Sequence, residues 1–378
     1  MKRWIWMVLL LLMLCPVTAQ AVELDIDAPS VLLMEKETGV VLYAKGETDR
    51  REPASVTKVM TLLLTMEAIE KGAIAYDDVV TVSAYAASMG GSNVYLAEGE
   101  QITVEELIKA VCVASGNDAA VALAEHVSGV TELFVAEMNN RAKELGMKDT
   151  TFLNCHGLPA QGHLTSARDI AVMSRQLILH YPELRRFTTI WMDSLRGGAF
   201  ELANTNKLIR FYEGATGLKT GSTSSAGYCI SATAEREGME LIAVVLGGAT
   251  SQQRFEDAKT LLNYGFATYA LHTVEATEPF APLPVKLGMQ DTVALTLPEK
   301  GRQVLVKKSQ VAGLAQEVTL PESVEAPVAA GQQVGTLTVR DGETIVLEVP
   351  IRAAEAVEKL TWWEMYRRML GMLCGKAS

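Results

Sequence analysis

Tyr228-Cys229-Ile230-Ser231-Ala232-Thr233-Ala234, then Glu235-Arg236-Glu237-Gly238, then Met239-Glu240-Leu241-Ile242-Ala243-Val244-Val245-Leu246-Gly247 reads as strand, turn and strand. Near the other end of the same region, residues 30–35 and 40–45 flank Lys36-Glu37-Thr38-Gly39, a second hairpin. A two-stranded hairpin cannot bury a face alone, so the two are expected to pair into one antiparallel sheet. Between them the pattern is helical. A helix opens near Pro53, where a missing N–H costs nothing, and carries Val59, Leu62, Leu63, Met66 and Ile69 at helical spacing to Gly72. Further helices are predicted over 104–113, 118–127, 131–145 and 166–178, and another from 252 to about 269. The fold expected is α/β of the α+β type, an antiparallel sheet covered by helices.

Outward from this core the composition changes. Pro279-Phe280-Ala281-Pro282-Leu283-Pro284 reads as a linker, and residues 285–351 are short Val/Leu/Thr runs broken by Gly, Pro and Asp, a small β-sandwich. The stretch from Thr361 to Leu373 places Trp362, Met365, Tyr366, Met369, Met372 and Leu373 on one apolar stripe beside Lys359, Arg367, Arg368 and Lys376. It is too short and too charged to span a bilayer, so an amphipathic helix lying on a membrane surface is expected, with packing on the β-rich domain as the alternative. At the start, Lys2 and Arg3, an apolar run over 4–14 and Ala19-Gln20-Ala21 form a secretory signal peptide. The division expected is therefore signal peptide 1–21, a catalytic domain 22–275, a β-rich domain 276–352 and the membrane-associating segment 353–378.

A net charge of -11 over 378 residues leaves no basic footprint for nucleic acid. Cys112, Cys155, Cys229 and Cys374 are too irregularly spaced for a disulfide framework, and Cys112 and Cys229 read as small core residues. The five histidines, His126, His156, His163, His180 and His272, lack metal-ligand spacing, so neither a zinc site nor another cofactor is expected. His156, in Cys155-His156-Gly157-Leu158, reads as a structural hydrogen-bonding residue.

Three short motifs carry the chemistry. Ser55-Val56-Thr57-Lys58 puts a hydroxyl and an amine three residues apart, on one helix face. Serine needs a base to become a nucleophile, and lysine can be that base when burial and nearby cations disfavour its ammonium form. Ser115-Gly116-Asn117 sits between two helical segments, where Ser115 can relay a proton and Asn117 can hydrogen-bond both a lysine and a substrate amide. Lys219-Thr220-Gly221 precedes the strand-rich region. On an edge strand, Lys219 would hold Lys58 neutral and attract a carboxylate, while Gly221 would let a backbone approach. Each motif alone is weak; their order and separation together are not.

The three motifs, with Arg51-Glu52-Pro53-Ala54-Ser55, Ala114-Ser115-Gly116-Asn117-Asp118-Ala119 and Thr165-Ser166-Ala167-Arg168-Asp169, make the chain resemble the low-molecular-weight penicillin-binding proteins, the serine D-Ala-D-Ala carboxypeptidases. The resemblance covers nearly the whole chain. It implies Ser55 as the acylated nucleophile, Lys58 as its base, and Ser115, Asn117 and Lys219 as proton relay and substrate anchors. It further implies an oxyanion hole from the Ser55 and Ser222 N–H groups, and a carboxylate held by Thr220 and Arg254. Peptidoglycan stem peptides would be the substrate, β-lactams the inhibitors, and the outer face of the cytoplasmic membrane the place of work. Ser222 stands where some members carry histidine, so tuning that depends on that histidine does not transfer. Glycine in the middle motif, the β-rich domain and the terminal helix favour this reading over a β-lactamase, and peptide turnover would separate it from a penicillin sensor.

Overall fold

The computed structural model describes residues 24–373. The segment 1–21, Cys374 and Lys376 lie outside them. Five strands form one antiparallel sheet: β1 (Ser30–Glu35), β2 (Val41–Lys45), β3 (Ala215–Thr223), β4 (Gly227–Arg236) and β5 (Met239–Gly248), in the order β2-β1-β5-β4-β3. The two hairpins meet as expected, β1 against β5, with Ser30 opposite Leu246 and Glu35 opposite Leu241. Strand alternation sends Val31, Leu33, Leu241, Ala243 and Val245 to one face and Leu32, Met34, Ile242, Val244 and Leu246 to the other. Helix α6 (Ser251–Thr268) covers the first face with Phe255, Ala258, Leu261, Leu262 and Phe266. The other face carries α1 (Lys58–Glu70), α2 (Val104–Val113), α3 (Asn117–Ser128), α4 (Thr131–Glu144) and α5 (Ala167–His180) in one larger core.

Helix starts follow side-chain caps. Thr103 accepts from Glu106 N at 3.2 Å, Ser166 from Asp169 N at 3.2 Å and Thr250 from Gln253 N at 3.0 Å. Helix α1 departs from the sequence reading at its start. Ala54 has φ +48°, which no α-helix accommodates, so residues Ala54–Thr57 form a 3-10 turn and the α-helix begins only at Lys58. The helix is buried from Lys58 to Ala68, polar residues included: Thr61 donates to Cys155 O at 2.5 Å and Thr65 to Thr61 O at 2.8 Å. Cys112, Cys155 and Cys229 are free thiols in the interior.

Beyond α6 the chain is β-rich. Tyr269–Thr273 pairs with Gln303–Lys307, so this strand, numbered with the helical region in the sequence reading, joins the strands that follow it. Leu283–Lys286 lies between Thr292–Val293 and Val324–Glu325, and a four-stranded sheet runs Leu295–Thr296, Thr344–Ala353, Gln333–Asp341, Leu314–Thr319. Val285, Val293, Leu337, Val339, Val349 and Ile351 form their common core. Helix α7 (Trp362–Leu373) follows and leans back through Arg368, which meets Asp291 at 2.7 Å and donates to Met289 O at 2.8 Å. Of its apolar stripe Trp362 is 79 % and Met369 55 % exposed, and the neighbouring Trp363 is 80 % exposed. No single described helix is long and apolar enough to cross a membrane.

Candidate active site

The 3-10 turn brings Ser55 and Lys58 together at the start of α1. The Lys58 amine, 0 % exposed, lies 3.0 Å from Ser55 Oγ, 2.5 Å from Asn117 Oδ1 and 2.7 Å from the His156 carbonyl. Burial, and after it the charge of Lys219, hold its pKa well below the ordinary lysine value. A neutral amine has two N–H donors and one lone pair. Asn117 Oδ1 and His156 O can only accept, so they take the two N–H groups and the lone pair faces the Ser55 O–H. The Asn117 amide is fixed in that orientation by its Nδ2, which donates to Gly90 O at 2.7 Å. Asp118 beside it accepts from Val94 N and Leu96 N, each at 3.0 Å, and ties the loop before α2 to the site.

The second lysine stands on the edge strand β3. Lys219 donates to Ser115 Oγ at 2.8 Å and to Thr220 O at 2.9 Å, and burial brings its pKa down to about 7. Ser115 itself has φ +63°, between α2 and α3, a conformation that projects its hydroxyl toward β3. Gly221 is where β3 touches the nucleophile's turn: a Cβ there would lie 2.7 Å from Ser55 N and 3.0 Å from Pro53 O. Ser222 is exposed at the next position, opposite Tyr228. Thr220 donates to Thr205 Oγ1 at 2.8 Å.

Six of the nine residues singled out in the sequence, Ser55, Lys58, Ser115, Asn117, Lys219 and Gly221, thus converge in the fold, with Thr220 and Ser222 on the same strand. Arg254 reaches the same strand from α6. The residue is 6 % exposed, and its guanidinium donates to Gly221 O at 3.1 Å, Cys229 O at 3.2 Å and Ser251 Oγ at 3.2 Å. These bonds tie it to β3 and to β4, beside the Lys219-Thr220-Gly221 segment.

Two supports of the site were not legible as motifs. His156 contributes its main-chain carbonyl to Lys58, while its ring takes a structural hydrogen bond from Leu158 N at 3.2 Å. His163 Nδ1 accepts from Leu153 N at 3.0 Å, which leaves the proton on Nε2 to be donated to Thr57 Oγ1 at 2.8 Å; Thr57 in turn donates to Ala54 O at 2.8 Å. This chain clamps the left-handed turn under Ser55. Burial lowers the His163 pKa to about 4, so the ring stays neutral in the working range and the tautomer is stable. Among the described residues no group of three His, Cys, Asp or Glu side chains is arranged to hold a metal ion.

Gly157 completes the support. Its φ is +90°, and a Cβ there would lie 2.0 Å from Ala54 O and 2.9 Å from Ser55 N. Gly157→Ala is expected to cost about 2 kcal/mol or more, a Tm drop of about 4–8 °C, and to slow acylation of the remaining folded protein. A variant with wild-type melting and acylation rates would contradict the packing described.

Comparison with known proteins bears on the whole chain. Residues 16–250 match the family model described as D-alanyl-D-alanine carboxypeptidase, and residues 271–359 match that of the C-terminal domain of penicillin-binding protein 5. The D-alanyl-D-alanine carboxypeptidase DacF of Bacillus subtilis is 41% identical over 353 residues, covering 92% of this chain and 90% of that one. The crystal structure of penicillin binding protein 5 from Haemophilus influenzae superposes with a TM-score of 0.76 at 30% identity, over 90% of this chain and 100% of that one. Penicillin-binding protein D2 of Listeria monocytogenes, in its ampicillin-bound form, gives a TM-score of 0.60 at 32% identity over 65% of this chain and 100% of that one.

Proposed function

The chain belongs to the D-alanyl-D-alanine carboxypeptidase family and shares its enzyme class, and from that premise we propose the following assignment of roles. Ser55 Oγ attacks the carbonyl carbon of the penultimate D-Ala of a peptidoglycan stem peptide as its proton passes to the Lys58 amine. The oxyanion is received by the N–H groups of Ser55 and Ser222. The C–N bond then breaks, and the proton moves by way of Ser115 to the departing amine, releasing D-alanine and leaving an ester on Ser55. Water, deprotonated in the same way, hydrolyses the ester and restores the serine. The observation that carries the reading is the Lys58 amine, fully buried, with two carbonyl acceptors and one hydroxyl as its neighbours. That set leaves the amine basic toward Ser55 and nowhere else.

Lys219 and Thr220 are assigned to the substrate's terminal carboxylate, and a β-lactam is expected to acylate Ser55 because its amide carbonyl reaches the same position. The test is mass spectrometry of the protein incubated with a D-Ala-D-Ala pentapeptide and, separately, with benzylpenicillin. Release of one alanine from the peptide and an adduct mapped to Ser55 support the assignment; an adduct on another serine overturns it.

We place the enzyme at the outer face of the cytoplasmic membrane, held there by α7. The exposure of Trp362, Trp363, Tyr366 and Met369, with Arg367 79 % exposed at its side chain, gives the apolar and cationic surface that an anionic interface accepts. Full-length protein should float with anionic vesicles at low salt, and protein ending before Thr361 should stay behind with its activity on soluble peptide intact. Failure of the full-length protein to float removes the anchor.

A further inference from the structure

Helix α7 grips the β-rich domain with its polar face. Glu364 and Arg368, four residues apart and so on one side of the helix, are alone among residues 362–370 in being half-buried. Arg368 holds Asp291 at 2.7 Å and donates to Met289 O at 2.8 Å. Trp362, Tyr366 and Met369 lie on the opposite side of the helix and are exposed. The apolar face of α7 therefore points away from the domain. The segment it grips is tied in turn to the residues leading into the helix: Met289 N donates to Glu358 O, and Leu360 N to Leu287 O, each at 2.8 Å.

That segment displays two large apolar side chains that the fold does not use. Leu287 is 48 % and Met289 39 % exposed, and neither belongs to the core of the domain. Gly288 between them faces inward, since a Cβ there would lie 2.8 Å from Val285 and 2.9 Å from Val357, so its two neighbours face outward. Leu287 also has φ +58°, a left-handed conformation that a residue with a Cβ adopts only at a cost. Lys286 and Lys359 stand exposed beside the turn. Of the nearby carboxylates, Asp291 is neutralised by Arg368, and Glu358 adjoins Lys359.

We propose that the turn Leu287-Gly288-Met289 is a second membrane contact, inserted among anionic lipid headgroups beside α7. The proposal rests on the reading of α7 as the anchor and adds the side of the β-rich domain that meets the bilayer. A helix with its side chains is about 10–12 Å across, and an interfacial helix sinks about 5–10 Å, so a surface gripping it from behind comes within about 7 Å of the headgroup boundary. Outward-facing leucine and methionine side chains at that level are buried by lipid, and the flanking lysines are attracted by its charge. Two contacts, helix and turn, then fix the angle at which the domain stands on the membrane.

The experiment places an environment-sensitive fluorophore on Leu287→Cys in full-length protein carrying Cys374→Ser, with Val79→Cys, exposed on the catalytic domain, as the control. Vesicles of phosphatidylglycerol and phosphatidylcholine are added at low salt, and flotation reports binding. The label at 287 is expected to shift to the blue and to be shielded from iodide, and the label at 79 to stay in water. Leu287→Gly accompanies it, because glycine suits the left-handed backbone and removes only the side chain. It should melt like the wild type and bind the vesicles about three- to tenfold more weakly. A label at 287 that stays in water while the protein floats, or a Leu287→Gly protein with wild-type affinity, overturns the proposal alone. A wild-type protein that does not float overturns the anchor reading, and the proposal with it.

Discussion

Ser55→Ala is expected to fold and melt like the wild type, to release no D-alanine from a D-Ala-D-Ala peptide and to take up no benzylpenicillin. The loss is expected to be about four orders of magnitude or more, since without the hydroxyl no acyl-enzyme forms and only binding and the oxyanion hole remain. Folding should survive because Ser55 Oγ is the most dispensable of the groups around Lys58. Asn117 Oδ1 and His156 O hold the amine without it. The check is intact-protein mass after exposure to penicillin, together with alanine release. Retained labelling at any other serine would move the nucleophile elsewhere.

The second large effect is at Lys58. Lys58→Ala should still bind peptide yet acylate about 10²–10⁴-fold more slowly, the usual worth of a positioned general base. Lys58→Arg should fail as badly, because a guanidinium cannot give up its proton here and leaves no lone pair for Ser55. Near-wild-type acylation by the arginine variant would take Lys58 out of the base role. The pH profile gives the same conclusion a sign. The active form is the free base, so acylation rises with pH through the pKa of Lys58, which lies well below its ordinary value of 10.5. The neighbouring charge of Lys219 contributes to that depression. Removing it with Lys219→Gln should therefore raise the Lys58 pKa and move the acid limb to higher pH. An unmoved limb, measured with a β-lactam as acylating agent, would separate the two lysines electrostatically.

Much of the fold was legible because its signals are local. Residues 104–113 carry helical periodicity and a Thr cap, and α2 occupies those positions. The hairpin over 228–247 carries alternating apolar residues about a Gly-containing turn; β4 extends it at both of its ends and β5 at its far end, starting at Met239 as expected. The pairing of β1 with β5 followed from the need of each hairpin for a covered face. Ser55 and Lys58 were legible for the same reason, since three residues of one turn fix their proximity. What escaped lies in the backbone or far away in sequence. The sequence carries no sign that the carbonyl of His156 completes the lysine's environment, because a carbonyl belongs to every residue. Nor does it show that Gly157 packs against Ala54 and Ser55 from another loop, or that Thr205 meets Thr220. Arg254 belongs with them. Its role as a carboxylate ligand came from the family resemblance alone, and its bonds to the main-chain carbonyls of Gly221 and Cys229 carry no sequence signal.

The three interior thiols have a practical consequence. Cys112, Cys155 and Cys229 are displaced upward to about 12, 12 and 11, in each case chiefly by burial. Only the thiolate reacts with alkylating agents, oxidants or disulfides, and at neutral pH a thiol at 12 is ionised to roughly one part in 10⁵. Each of these sulfurs also belongs to a different part of the site's scaffold: Cys112 to the helix leading to Ser115, Cys155 to the loop of His156 and Gly157, and Cys229 to the strand paired with Gly221. Labelling can proceed only when the corresponding part opens. The chain thus contains three native clocks for local opening, and the order in which they react in a slow alkylation time course ranks the rigidity of the three walls without any engineered probe.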